Sequence, residues 1–397
     1  MVKGQARKIA GDPLVEFIEV GIIEFAMIEL LKNLIFADST LPKGESAVAA
    51  VLADYFRAAS IEARIDAWDS NRANLIVRLP GSGKKPALLF ASHLDVVPPG
   101  DSPWQSPPFE PTERDGRLYG RGAADMKAGI ATAAAAVVEI VCEGGKLQGD
   151  LIFAATAGEE TDSIGAHRFV DREGPSLPKL AGVVITEPTG FQLVCAHRGL
   201  AWIEITAFGK TAHSSMPHLG VNAISQMQSL LDRLRDFVPS HTPDPILGGP
   251  TLSVNQISGG KAPNVIPDQC TITIDTRVVP GQTAETIVAE LETIFRELSA
   301  ADPNFRAEAK ILRFSPSMRT DPKCAFVRSV QWAVEARDTV AVRYTTDGPY
   351  FAQLGAPVVV FGPGDSEVCH KPDESVALPD LHTGKKYYKS IIREILG

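Results

Sequence analysis

The chain has 397 residues, and its 48 acidic against 39 basic side chains leave a net charge of −9 at neutral pH. Hydrophobic residues make up 44% of it and charged residues 22%, the ordinary balance of a globular protein. No basic run or stripe that could neutralise phosphates is present, which argues against a nucleic-acid partner.

The length exceeds what one hydrophobic core usually supports, so two domains are expected. Residues 14–36 are apolar enough to raise the question of a membrane span. Glu16, Glu19, Glu24, Glu29 and Lys32 interrupt them, so the segment reads as a largely buried amphipathic helix and no membrane partner is expected. Short β-branched runs follow at 74–79, 87–92, 150–156, 182–186 and 356–361. Helical stretches lie between them, notably 126–143, which stops at Gly144 and Gly145. Continuous apolar strands alternating with helices predict an α/β fold with a mixed, mainly parallel sheet flanked by helices. GSGKK at 81–85 lacks the upstream glycine and the following Ser/Thr of a phosphate loop, and reads as a turn between strands.

From about residue 200 the rhythm changes to strand, helix, strand, strand, helix, strand, ending near residue 312. That order predicts an α+β ferredoxin-like sandwich. The run at 356–361 then returns to the first sheet. The expected organisation is therefore a catalytic domain in two parts, 1–199 and 314–397, with a lid domain inserted at 200–313. Five scattered cysteines, Cys142, Cys195, Cys270, Cys324 and Cys369, lack CxxC pairing. They argue against a disulfide framework and for a reducing compartment, with cytoplasm as the expected location. Cys195 and Cys270 fall in strand patterns and read as core.

The chemistry-bearing residues gather at strand ends. His93 and Asp95 follow one strand in SHLD, Glu159 and Glu160 follow another in TAGEE, and Glu187 follows a third in ITEP. His370 follows the last in GPGDSEVCHKPD, and Asp125 sits in the glycine-rich GRGAADMKAG that opens a helix. Ligands of open α/β sheets bind outside the carboxyl ends of the strands. A lone histidine there is usually structural, and paired glutamates usually form a solvated loop. Four or more acids brought to one rim, however, need cations to neutralise them. A mixed His/carboxylate set suits Zn, Mn or Co better than Ca or Mg. Asp95, two residues after His93, is placed to accept the far ring N–H and orient the imidazole. No G-x-S-x-G nucleophile elbow is present.

SHLDVVP, GRGAADMKAG, ATAGEE, ITEPT, AHRG, GKTAHSSMP, APNVIPD, DTRVVPG and GPGDSEVCHKPDE together resemble the family of acetylornithine deacetylase and succinyl-diaminopimelate desuccinylase. Related two-metal peptidases, aminoacylases and carboxypeptidases share these motifs, and the resemblance runs from about residue 87 to 376. It implies a zinc-peptidase-like fold and two divalent metal ions, Zn first and Co or Mn as alternatives. His93 and Glu187 would hold one ion, Glu160 and His370 the other, and Asp125 would bridge them. Glu159 would be the general base, and a cis peptide is implied at Asp125–Met126. His213 would donate to the oxyanion, often from the partner subunit of a dimer, and Arg277 and Asn264 would grip the substrate's carboxylate. The non-functional alternatives are a loop histidine capping a helix for His213 and a salt-bridged strand residue for Arg277.

The function implied is hydrolysis of an amide bond in an N-acyl amino acid or similar carboxylate, with a short peptide as alternative substrate and a homodimer formed through the lid. A dipeptidase or carboxypeptidase, an amidohydrolase of aromatic or xenobiotic substrates, and an inactive binding module are the competing readings. The last conflicts with the retention of all five ligand positions and Glu159.

Overall fold

The computed structural model describes the backbone of residues 13–397 and the side chains from Glu24 onward. Residues 1–12, assigned from sequence to the first part of the catalytic domain, and the side chains of the expected 14–36 helix before Glu24 lie outside the described residues. The chain begins with helices α1 (Pro13–Phe36) and α2 (Ser46–Ala58). Strands β1 (Ala63–Ala67), β2 (Ala73–Leu79), β3 (Ala87–His93), β4 (Thr112–Arg114) and β5 (Arg117–Tyr119) follow, then helix α3 (Ala128–Cys142) and strand β6 (Leu151–Thr156). Helix α4 (Ile164–Glu173) precedes strands β7 (Leu180–Ile185), β8 (Leu193–His197) and β9 (Gly199–Phe208). Next come α5 (Ala223–Leu234), β10 (Thr251–Gly259), β11 (Gln269–Val278), α6 (Ala284–Ala301) and β12 (Arg306–Ser315). The remainder is β13 (Met318–Arg319), α7 (Ala325–Ala333), β14 (Thr339–Val342), α8 (Gly348–Ala352), β15 (Val358–Val360), β16 (Ser375–Ala377) and α9 (Leu378–Leu396).

The chain divides into two compact units, one of Met1–Val194, Asp321–Thr339 and Tyr350–Gly397, the other of Cys195–Thr320 and Val340–Pro349. In the first, a mixed sheet runs β1-β2-β6-β3-β7-β15, with Val194 of β8 paired to Val360. Its centre is parallel: β3 pairs in parallel with both β6 and β7, and β15 with β7. Every residue of β3 and β6 is buried, which is why both read as unbroken apolar runs rather than alternating ones. Phe90 and Phe153 are fully buried, and each such side chain contributes roughly 1.5–3 kcal/mol. The flanking helices follow the same logic. Helix α3 is alanine-rich and buried from Ala128 to Ile140, so it packs closely against α9 and α1. In α1, Met27, Leu30, Leu31, Leu34 and Ile35 are buried, and no helix among the described residues is long and apolar enough to cross a membrane.

A three-stranded sheet, β16-β5-β4, also belongs to the first unit. It pairs Ser375 with Tyr119 and so fastens the segment after His370 to the one before Asp125.

The second unit is an antiparallel sheet ordered β10-β11-β9-β12, with α5 and α6 between its strands in sequence. Strand β11 alternates buried and half-buried positions. Ile203, Ile205, Ile272 and Ile274 form one core with Met227, Leu230, Leu291 and Phe295 of the two helices. Strand β10 ends the sheet and is exposed along nearly its whole length. Cys195 and Cys270 are both buried.

Candidate metal centre

All of the acidic and histidine positions singled out at the strand ends lie in the first unit. His93 is the last residue of β3, and its backbone pairs with Thr156 at the end of β6. Parallel neighbours therefore deliver His93 and the Glu159–Glu160 loop at one sheet edge. Glu187 follows β7 two residues beyond its end, and the Ser92 and Thr186 hydroxyls, 2.7 Å apart, tie those two strand ends together. The Asp125 loop is brought close by Gly129, because a Cβ there would stand 1.9 Å from the Thr186 carbonyl oxygen. The Asp125–Met126 peptide is cis.

These placements make three groups of three, two of which share Asp125. Ligand atoms of His93, Asp125 and Glu187 lie within 4.8 Å of one another, as do those of Asp125, Glu160 and His370. The Asp125 carboxylate belongs to both. Its Oδ1 is 3.1 Å from His93 Nε2, and its Oδ2 is 3.3 Å from His370 Nε2. Glu187 Oε1 is 3.6 Å from His93 Nε2, and Glu160 Oε1 is 2.9 Å from His370 Nε2. Glu159 also falls within the 4.8 Å limit of His93 and Glu160. His93, Glu159 and Glu187 are buried, whereas His370 is half exposed at 51% of its side chain.

The electrostatics show a site short of positive charge. Burial opposes charging of His93, yet Glu187, Asp125 and Asp95 together hold its ring well above the ordinary histidine range. Hydrogen bonds with Asp125 and Glu160 push His370 up to about 10. Burial and the nearby Asp125 charge raise Glu160. Asp125 itself is held far below its usual value because the two imidazoles outweigh its burial. In a desolvated site, carboxylates this dense demand compensating cations. Two histidines and shared carboxylates are a donor set for borderline divalent ions, so the residues fit a pair of metals.

Asp95 keeps its carboxylate beside the imidazole, with Oδ1 3.5 Å from His93 Nδ1, but has further partners that the sequence did not suggest. Its backbone carbonyl oxygen is the closer acceptor for His93 Nδ1, at 3.0 Å. Its carboxylate also accepts the backbone N–H groups of Gly158, Glu159 and Glu160 at 2.9, 3.0 and 3.0 Å.

Glu374 and Arg121 are among the residues missed from sequence. Glu374 is fully buried, and its Oε1 accepts the backbone N–H of Ala124 at 2.9 Å and of Asp125 at 3.0 Å. Its other oxygen accepts from Arg121 at 2.5 Å, and that guanidinium lies over the Trp104 ring. Both sit inside motifs that stand out in the sequence, but nothing in one dimension reveals that they pair. Cys369 belongs to none of the metal-compatible groups among the described residues; its thiol donates to the Asp365 carbonyl oxygen at 3.5 Å.

His213, Asn264 and Arg277 belong to the second unit. His213 bridges to Val265, and Ser214 N–H donates to the Asn264 carbonyl at 3.1 Å, so His213 and Asn264 lie on adjoining segments, both exposed. His213 Nδ1 is 2.7 Å from the Ser215 hydroxyl. Arg277 pairs through Nε with Asp275 at 3.0 Å, which is the salt-bridged strand arrangement. His197 is fully buried.

Residues 89–394 match the family described as Peptidase family M20/M25/M40. The chain belongs to this family. It is similar to an acetylornithine deacetylase from Myxococcus xanthus, with 35% identity covering 78% of this chain and 80% of that one. Its fold matches a tripeptidase from Staphylococcus aureus with a TM-score of 0.77 and 22% identity, covering 94% of this chain and 98% of that one. It also matches a dinuclear metal-binding peptidase of the M20 family from Bacillus subtilis, with a TM-score of 0.69 and 16% identity over 94% and 98% of the two chains. The sequence expectation of a mixed, mainly parallel α/β sheet flanked by helices is met, and the chain is a metal-dependent hydrolase of carbon–nitrogen bonds.

Proposed function

We propose that the chain hydrolyses the amide bond of an N-acyl amino acid or a similar carboxylate-bearing substrate. The observation that carries this reading is the division of the Asp125 carboxylate, one oxygen toward His93 and the other toward His370. In this reading His93 and Glu187 hold one divalent ion, Glu160 and His370 the other, and Asp125 is common to both. Zn is the first candidate, with Co or Mn able to replace it. When bound, such ions supply Lewis acidity, polarising a carbonyl and lowering the pKa of water.

Glu159 serves as general base. It removes a proton from the attacking water as the new carbon–oxygen bond forms at the acyl carbon. It then passes that proton to the leaving nitrogen as the carbon–nitrogen bond breaks, giving a carboxylate and a free amine. Its burial keeps bulk water from competing for the proton. His213 donates to the oxygen that gains charge, a contribution of roughly 3–4 kcal/mol. Arg277 and Asn264 receive the substrate's carboxylate, for which the arginine fork is suited once released from Asp275.

The second unit acts as an inserted lid and dimerisation domain. The outer edge of β10, unpaired among the described residues, and the exposed apolar residues Ile224, Val254, Ile257 and Val265 support this, because exposed sheet edges of this kind are covered in stable proteins. The cytoplasm is the proposed location, supported by five free cysteines. The deacylase reading is favoured over a peptidase by the likeness to the deacetylase across most of both chains.

A panel of N-acetyl amino acids and dipeptides, assayed after chelation and again after adding Zn, Co or Mn, tests the proposal. Metal-restored turnover of N-acyl amino acids ahead of dipeptides supports it. Preferential dipeptide cleavage would transfer the assignment to a dipeptidase.

A further inference from the structure

The loop carrying Glu159 and Glu160 leaves β6 at Thr156 and enters α4 at Ile164. Its neck is closed by one backbone bond, from Gly165 N–H to the Ala157 carbonyl at 2.8 Å. A single side chain flanks that bond. Asn74, on β2 and fully buried, accepts the Ala157 N–H on Oδ1 at 3.0 Å and donates from Nδ2 to the Gly165 carbonyl at 2.8 Å. The amide therefore saturates the backbone groups on both sides of the closing bond, although it lies 83 and 91 residues away in sequence.

The chemistry of the position is narrow. A primary amide presents an acceptor and a donor side by side, whereas aspartate lacks the donor and serine lacks the reach. Gly165 completes the fit, because a Cβ there would stand 2.1 Å from the Ala157 nitrogen and 2.5 Å from Asn74 Oδ1. Further along the loop, Asp95 takes the next three N–H groups, of Gly158, Glu159 and Glu160. The loop is thus held at its neck by one side chain and inside by another.

We propose that Asn74 is a positioning residue for this loop. It fixes the register of Ala157 against Gly165 and so sets the aim of the Glu159 and Glu160 carboxylates, while its own polar atoms are spent on the neck. The inference rests on the reading of Glu160 as a metal ligand and Glu159 as the base.

The test compares Asn74→Ala with Val77→Ala, a cavity-forming control at a buried position of the same strand. Zinc is titrated calorimetrically into each apo-protein, kcat and KM are measured on an N-acetyl amino acid, and amide hydrogen exchange is followed across 157–165. Asn74→Ala should weaken one of two zinc-binding steps by about 10–100-fold. It should lower kcat by a comparable factor while KM stays within about twofold, and speed exchange in that loop. Val77→Ala should lose thermal stability without either change. Zinc binding and kcat in Asn74→Ala equal to those of Val77→Ala would overturn the proposal. If Asn74→Ala does not fold, exchange in the unaltered protein decides: the Ala157 and Gly165 amides should be as slow as those of β6, and rapid exchange overturns it. An unaltered protein that takes up no zinc would instead refute the metal reading, and the exchange measurement would still report on the neck.

Discussion

The carboxylate of Asp95 accepts the backbone N–H of Glu159 at 3.0 Å. This contact couples the residue behind His93 to the peptide that carries the proposed base. Asp95→Asn would place an amide N–H₂ against donors. It should reduce kcat/KM by about 10–100-fold, the usual cost of removing a group that orients ligands. The measurement is steady-state kinetics with zinc content recorded in parallel, and activity unchanged by the substitution would show that the loop holds itself.

Glu159→Gln separates base from ligand. The amide keeps the shape but cannot take a proton, so kcat should fall by roughly 10²–10⁴-fold while two metals per chain remain by elemental analysis. Because Glu159 also lies within ligand range of His93 and Glu160, a variant that retains only one metal would reassign it as a ligand.

A pH effect is expected away from the metals. His197 is fully buried, its Nδ1–H donates to the Arg198 carbonyl at 2.8 Å, and its Nε2 accepts from the Thr346 hydroxyl at 3.0 Å. Burial outweighs the backbone contact and lowers its pKa from 6.5 to about 4. The unfolded chain then binds a proton that the folded one refuses, so stability is complete above pH 6.5 and declines as pH falls toward 4. The loss amounts to about 1.4 kcal/mol per pH unit, or roughly 3 kcal/mol over the window. Urea midpoints at pH 7.5 and 5 should differ less for His197→Gln than for the unaltered protein, and equal differences would remove His197 from the acid response.

The proposed dimer is open to a direct test. Ile257 is 60% exposed on β10, and Ile257→Lys places a charge on that edge. Light scattering coupled to size exclusion should report a dimer for the unaltered chain and a monomer for the variant. A monomeric unaltered chain at micromolar concentration would dismiss the interface.

Much of the first unit was legible because its strands are buried on both faces. The runs ending at Ser92 and Thr156 could be read without knowing their neighbours, and the rim that collects His93, Glu160 and Glu187 followed from the strand ends. What stayed hidden was side chain recognising backbone. Asp95 was placed behind an imidazole by alternation, but its carboxylate also serves peptides more than 60 residues on. Glu374 caps the Asp125 loop from 249 residues away, and Asn74 closes a neck whose two sides it meets only after folding. Strand β1 escaped notice for a simpler reason: at a sheet edge, with charged residues and partial exposure, it carries no apolar run.

The order of the proposed ligands along the chain has a consequence for biosynthesis. His93, Asp125, Glu160 and Glu187 precede the whole of the second unit in sequence, whereas His370 follows it. A nascent polypeptide halted before residue 370 possesses the donors of one triad and lacks the histidine of the other. With the proposed ligands, the second metal site would be complete only once the chain has been made past residue 370.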